Sequence, residues 1–150
     1  MKISLLIIAV LTTIATSCSH EQQISTAEAN AQFEIIQQRS GISFAPEVRL
    51  LNHGDGGGRD ASYGFYNWTV FSPTQLVLPK MKEAYIERGY LSLPLEDSIR
   101  SLKVTAKGEN FSDALEAISS SWETNGYSFG ATLVRTKHGD YLHLTTGKGK

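Results

Sequence analysis

The chain contains a single cysteine, Cys18, among its 150 residues. No internal disulfide can therefore form, so a folded domain has to be stabilised chiefly by its hydrophobic core. The length fits one domain of about 100–200 residues, and a domain of that size buries enough surface to fold independently. The sequence thus predicts one small domain without covalent cross-links.

The composition excludes two broad classes of protein. Lys and Arg number 14 against 15 Asp and Glu, and 41% of the residues are hydrophobic. A nucleic-acid-binding domain normally carries an excess of basic residues that neutralise phosphates. A disordered chain has too few apolar residues to build a core. We therefore expect a folded domain that does not bind nucleic acid.

An apolar segment from Ile3 to Ile14 follows the positively charged start of the chain and precedes Cys18. It is shorter than the roughly 20 apolar residues of a membrane-spanning helix. Its length instead suits the apolar region of a secretory signal peptide, which is about 7–15 residues long. Ala15 and Ser17 supply small residues where a signal peptidase cleaves. Residues 1–17 are therefore predicted to be a signal peptide.

The stretch from Ala15 to Cys18 resembles the lipobox of bacterial lipoprotein precursors, although Ala15 stands where Leu is usual. The resemblance covers residues 1–18 only. It implies that Cys18 is lipidated and becomes the first residue of the mature chain, with residues 18–24 as a short tether. The implied location is a bacterial cell membrane, with the outer membrane as one option. The alternative is a secreted or periplasmic soluble protein with a free thiol.

Residues 25–150 are predicted to form a single α+β domain, with three or four helices packed on a mainly antiparallel sheet. Capping residues and apolar spacing predict helices over residues 25–39, 79–88, 94–102 and 110–122. Alternating and aromatic-rich segments predict strands over residues 47–53, 61–71, 75–78, 103–106, 128–135 and 141–145. The aromatic strand over residues 61–71 is apolar on both faces, so we expect it to be a central strand covered on both sides.

The segment from Gly54 to Asp60 contains four glycines, one arginine and two aspartates. Glycine N–H groups can bind an anion, and Arg59 could bind a carboxylate or phosphate through two hydrogen bonds. No P-loop or dinucleotide motif is complete, because an aromatic strand follows instead of a helix. We take His53, Asp55, Arg59 and Asp60 as the candidate loop for an envelope protein or a small anionic ligand. The alternative is a flexible hairpin tip without a role.

The common catalytic and zinc-binding signatures Gly-x-Ser-x-Gly, Ser-x-x-Lys and His-Glu-x-x-His do not occur in the sequence. We therefore expect no catalytic residue, no cofactor and no metal ion. A metal shared by His53 and His143 would require their two hairpins to be neighbours. His143 alternates with Leu142 and Leu144 and is predicted to face solvent.

These observations together predict a membrane-anchored lipoprotein of the cell envelope, held by the lipid on Cys18. Its domain is predicted to bind a partner or ligand without catalysis. Two alternatives stay open: a small envelope hydrolase that uses His53 with Asp55 or Asp60, and a purely structural tethered module.

Overall fold

The computed structural model describes residues 24–55, 65–81 and 89–148. The elements are, in chain order, α1 (Thr26–Ser40), β1 (Arg49–Asp55), β2 (Tyr66–Ser72), β3 (Leu91–Ser92), α2 (Leu95–Thr105), β4 (Ala114–Thr124), β5 (Tyr127–Thr136) and β6 (Asp140–Lys148). The strands form one sheet in the order β1-β2-β6-β5-β4-β3, and every neighbouring pair is antiparallel. The predicted hairpins β1–β2 and β5–β6 are both present, and β2 is a central strand.

The prediction of three or four helices on the sheet is wrong, because the described ranges contain two helices and are mostly sheet. The segment predicted as a helix from Asn110 to Trp122 largely forms strand β4. The Asn110 carboxamide accepts the N–H of Ser112 at 2.9 Å, which makes a turn rather than a helix cap. Ile118 and Trp122 share a face in a helix and in a strand alike. Leu115, which fitted only the helix, is 57% exposed beside a bulge.

Three further predicted elements differ from the structure. The strand predicted over residues 103–106 is the end of α2. The strand predicted over residues 75–78 pairs with no other strand, and the N–H of Leu76 is instead bound by the Asp140 carboxylate at 2.8 Å. In the helix predicted over residues 79–88, residues 79–81 are not helical, and residues 82–88 lie outside the described residues.

Helix α1 begins and ends as its capping residues predict. Ser25 Oγ accepts the N–H of Glu28 at 3.2 Å, and Gly41 ends the helix with a φ of 74°. Glu28 does not complete a capping box, because its carboxylate lies 2.9 Å from Nε2 of His53. Gln32 accepts a 2.8 Å hydrogen bond from the indole of the buried Trp68. These contacts hold α1 on one side of the sheet, which we call the α1 face.

The two faces of the sheet are covered to different extents. The α1 face carries the larger core, whose buried sheet residues include Leu50, Trp68, Val70, Phe129, Ala131, Leu133, Leu142 and Leu144. The opposite side, which we call the α2 face, has a smaller core where Leu102, Ala106 and Phe111 pack on Val134 and Tyr141. This second core occupies only one end of the strands. The other end of the α2 face positions the candidate site.

Candidate functional site: a polar face beside α2

Four neighbouring strands place uncharged polar side chains opposite one another on the α2 face. The first cross-sheet row, through β2, β6, β5 and β4, is Thr69, His143, Thr132 and Ser119. The second row, two residues further along each strand, is Asn67, Thr145, Gly130 and Ser121. We call these eight residues the polar platform. The platform carries hydroxyl, amide and imidazole groups, and none of its eight residues has a carboxylate or an ammonium group.

The cover over the α2 face decreases across the polar platform. Its outer members Thr145 and Ser121 are exposed, whereas Tyr141 in the next row is buried under Phe111. Gly130 lets the hydroxyl of Thr145 lie across the strand, where it donates to the Gly130 carbonyl at 3.1 Å. A Cβ at Gly130 would stand 3.1 Å from that hydroxyl. Gly130 therefore leaves room for the Thr145 hydroxyl, and the exposed residues Thr145 and Ser121 both carry hydroxyl groups.

His143 is the one titratable group among the eight residues of the polar platform, and it is half-buried. Its Nδ1 lies 3.0 Å from Oγ1 of Thr69, and the imidazole tautomer decides which of the two atoms donates the hydrogen bond. Burial lowers the pKa of His143, because the charged imidazolium is poorly solvated there. The ring is therefore neutral at pH 7. Within the described ranges its Nε2 forms no hydrogen bond, which leaves one polar atom for a ligand.

Thr69 is completely buried, so its contact with His143 is structural and not a catalytic dyad. A nucleophilic hydroxyl has to reach the substrate, and the Thr69 hydroxyl does not reach the surface. The hydrogen bond instead fixes the orientation of the imidazole from the neighbouring strand.

A cleft of about 500 Å³ separates α2 from the polar platform. Its apolar wall includes Leu93, Leu102 and Val104, and its opposite wall includes Thr132 and His143. Val104 is 68% exposed, although it is apolar. The volume lies within the range of about 300–1,000 Å³ that is typical of small-molecule sites, which also combine apolar walls with few polar groups.

The residues predicted as a ligand loop lie elsewhere. His53 is near the end of β1 and contacts Glu28 at the start of α1, and Asp55 is the last residue of β1. Arg59 and Asp60 lie outside the described residues. A second groove, of about 1380 Å³, runs between α1 and β1 beside His53. The loop thus stays a prediction, separate from the polar platform.

A metal ion shared by His53 and His143 does not fit the sheet. β2 lies between their strands. His53 faces α1, where it contacts Glu28, whereas His143 lines the cleft beside α2. The described part of the chain contains no group of three or more His, Cys, Asp or Glu side chains that could hold a metal ion.

The sequence interpretation missed the polar platform and placed His143 fully in solvent, whereas α2 half-buries it. A signal for the platform was present. Thr69, Thr132 and His143 each alternate with apolar residues along a strand, which is the period-two pattern of two different sheet faces. The sequence did not show that these residues would line up in one row.

Comparisons with protein-family models, curated proteins and solved structures found no match for this chain. Neither α1 nor α2, the helices of the described ranges, has the length and apolar character needed to cross a membrane. The chemistry of the candidate site is therefore argued from its own geometry.

Proposed function

We propose that this chain is a lipid-anchored cell-envelope protein whose domain binds a neutral glycan on the polar platform, without catalysis. The observation that carries the proposal is the pair of cross-sheet polar rows beside α2, in which Thr145 and Ser121 are exposed and Thr132 and His143 line the cleft. Their hydroxyl, amide and imidazole groups match the hydroxyl and acetamido groups of a neutral sugar. Each such hydrogen bond contributes about 0.5–1.5 kcal/mol net, so several in parallel are needed.

The charges around the polar platform favour a neutral ligand. The platform contains no Lys or Arg, and the buried imidazole of His143 is neutral because its pKa is lowered. The acidic residue that lines the cleft, Asp97, lies 3.3 Å from Arg100 in an exposed ion pair. Among the eight platform residues an anion would meet no compensating positive charge. A small anionic ligand belongs instead to the proposal for the loop that contains Arg59.

The anchor is supported by the position of Cys18 directly after a signal-peptide-like segment. A single acyl chain gives only marginal membrane binding, whereas the two or three chains of a lipidated cysteine hold a protein stably. A tether over residues 18–24 reaches roughly 20–25 Å at most, at about 3.3–3.6 Å per residue. The domain would therefore stay close to the membrane, among envelope glycans.

Calorimetric titration of the mature chain with chitotetraose, a neutral oligosaccharide, tests the binding proposal. We expect binding, and we expect Thr132→Val and Thr145→Val each to weaken it about 3- to 10-fold, which corresponds to one lost hydrogen bond. Thr124→Val is the matched control, because β4 alternates and places Thr124 on the α1 face with Trp122. Trigalacturonate, an anionic oligosaccharide, should bind more weakly. Absence of chitotetraose binding, or an equal loss in the Thr124 variant, would contradict the proposal.

The mass of the mature N-terminal peptide from a membrane fraction tests the anchor. We expect a chain that begins at Cys18 and carries diacylglyceryl and acyl groups, and Cys18→Ser should release the chain from the membrane. An unmodified N-terminus in the soluble fraction would show that the chain is an ordinary exported protein.

A further inference from the structure

We infer that the cleft beside α2 binds the alkyl chain of a neutral glycolipid whose sugar lies on the polar platform. This inference rests on the proposed function, since it extends the same site from the sugar to the group attached to it.

The cleft and the polar platform are continuous. Thr132 and His143 belong to the first platform row and also line the cleft. A sugar placed over that row has the mouth of the cleft directly beside it. A group linked to the sugar can then enter between the sheet and α2 without further movement of the ligand.

The walls of the cleft favour an alkyl chain. The partly buried Leu93 and the exposed Val104 supply most of the accessible apolar surface, and Val104 is 68% exposed. An inserted chain would remove this apolar surface from water, which is the main source of affinity for such groups.

The described residues that line the cleft include no Lys or Arg that would hold the carboxylate of a free fatty acid. Asp97 lines the cleft in an exposed ion pair with Arg100, and this pair carries no net charge. Nε2 of His143, which has no partner within the described ranges, stands at the boundary between the cleft and the platform. A neutral imidazole can donate or accept one hydrogen bond, which suits the hydroxyl or glycosidic oxygen of a sugar.

A series of alkyl β-D-glucosides, used below their micelle concentrations, tests the inference on the mature chain. We expect affinity to rise from methyl to hexyl to octyl glucoside, by roughly fourfold for each methylene that enters the cleft. Ser101→Trp should fill the cleft, because Ser101 is exposed and lines it. That substitution should weaken octyl glucoside at least tenfold. Lys103→Trp, on the opposite side of the same helix, is the matched control and should change nothing.

The results separate this inference from the proposed function. If chitotetraose binds but the affinity for the glucosides does not depend on alkyl length, the cleft does not bind the alkyl chain. The glycan proposal then still holds. Octyl glucoside binding that is unchanged by Ser101→Trp would also show that the cleft does not bind the alkyl chain. Chain-dependent binding that Ser101→Trp removes, without any chitotetraose binding, supports the cleft and overturns the glycan proposal.

Discussion

The hydroxyl of Thr69 on β2 lies 3.0 Å from Nδ1 of His143 on β6, and Thr69 is completely buried. This hydrogen bond joins two neighbouring interior strands within the first row of the polar platform. It sets the orientation of the imidazole, which lines both the platform and the cleft beside α2. The pair therefore links the stability of the sheet to the shape of the candidate site.

Thr69→Val should lower the free energy of unfolding by about 1–2 kcal/mol, because it leaves a half-buried imidazole nitrogen without its partner. Valine keeps the volume and the strand propensity of threonine, so the loss reports the hydroxyl. Urea denaturation measures the effect. Thr132→Val, whose hydroxyl makes no hydrogen bond with described residues, should stay within about 0.5 kcal/mol. Equal losses in the two variants would show that the bond to His143 contributes nothing.

The pH dependence of stability should contain a contribution from His143. The folded-state pKa of His143 is lowered by burial, whereas the unfolded chain binds a proton near the ordinary value of 6.5. The unfolded state thus binds more protons in the interval below 6.5. The contribution of His143 to the free energy of unfolding is therefore complete above pH 6.5, and it is lost as the pH falls toward the folded-state pKa.

Urea denaturation of wild type and His143→Gln between about pH 7.5 and about pH 5.5 isolates this contribution. We expect the wild type to lose more stability over that interval than the variant. All other side chains are identical in the two proteins, so the difference between the two pH profiles reports His143. Parallel pH profiles for the two proteins would refute the assignment.

Asp140→Ala should destabilise the domain by about 1–3 kcal/mol, because it leaves the buried N–H of Leu76 without its acceptor. Asp140 is fully buried and accepts hydrogen bonds from the N–H of Leu76 at 2.8 Å and from Nε of Arg135 at 3.2 Å. Glu116→Ala is the control, because Glu116 contacts the same arginine at 2.9 Å but is 40% exposed. It should cost less than about 1 kcal/mol.

Thermal or urea unfolding of both variants gives the comparison. If Asp140→Ala is as mild as Glu116→Ala, Asp140 does not hold the segment at Leu76 to the start of β6. That result would also remove the physical reason why residues 75–78 lie against the sheet without joining it as a strand.

Local chemistry predicted the elements whose signals are contained within a few residues. Ser25 and Gly41 defined the ends of α1 because each cap is satisfied by neighbouring backbone. The β5–β6 hairpin followed from two alternating segments around Gly139. Leu142 and Leu144 were correctly placed on one face of β6, opposite His143.

The largest error came from a pattern that fits two structures. Ile118 and Trp122 are four residues apart, which is compatible with a helix or with one face of a strand. The decisive local signal was the dipeptide Asn125-Gly126, whose φ angles are 51° and 76°. Two successive positive φ angles are typical of a tight hairpin turn, so this dipeptide favoured β4 and β5 over a helix.

The candidate site could not be predicted from local patterns, because it depends on contacts distant in sequence. Thr69 and His143 become neighbours only when β6 inserts beside β2 in the sheet. The accessible part of the α2 face depends on where α2 packs. Leu102 and Ala106 set the position of α2 by their contacts with Val134 and Tyr141. Alternation gave the face of each residue, but it did not give the order of the strands.

Amide and imidazole NMR spectra of the mature chain, recorded during a titration with octyl β-D-glucoside, test the central claim most directly. We predict chemical-shift changes confined to the polar platform and the cleft, with the largest changes at Thr132, His143 and Thr145. Changes centred on His53 and the following loop, or no saturable change at the polar platform, would contradict the assignment of this surface as the binding site.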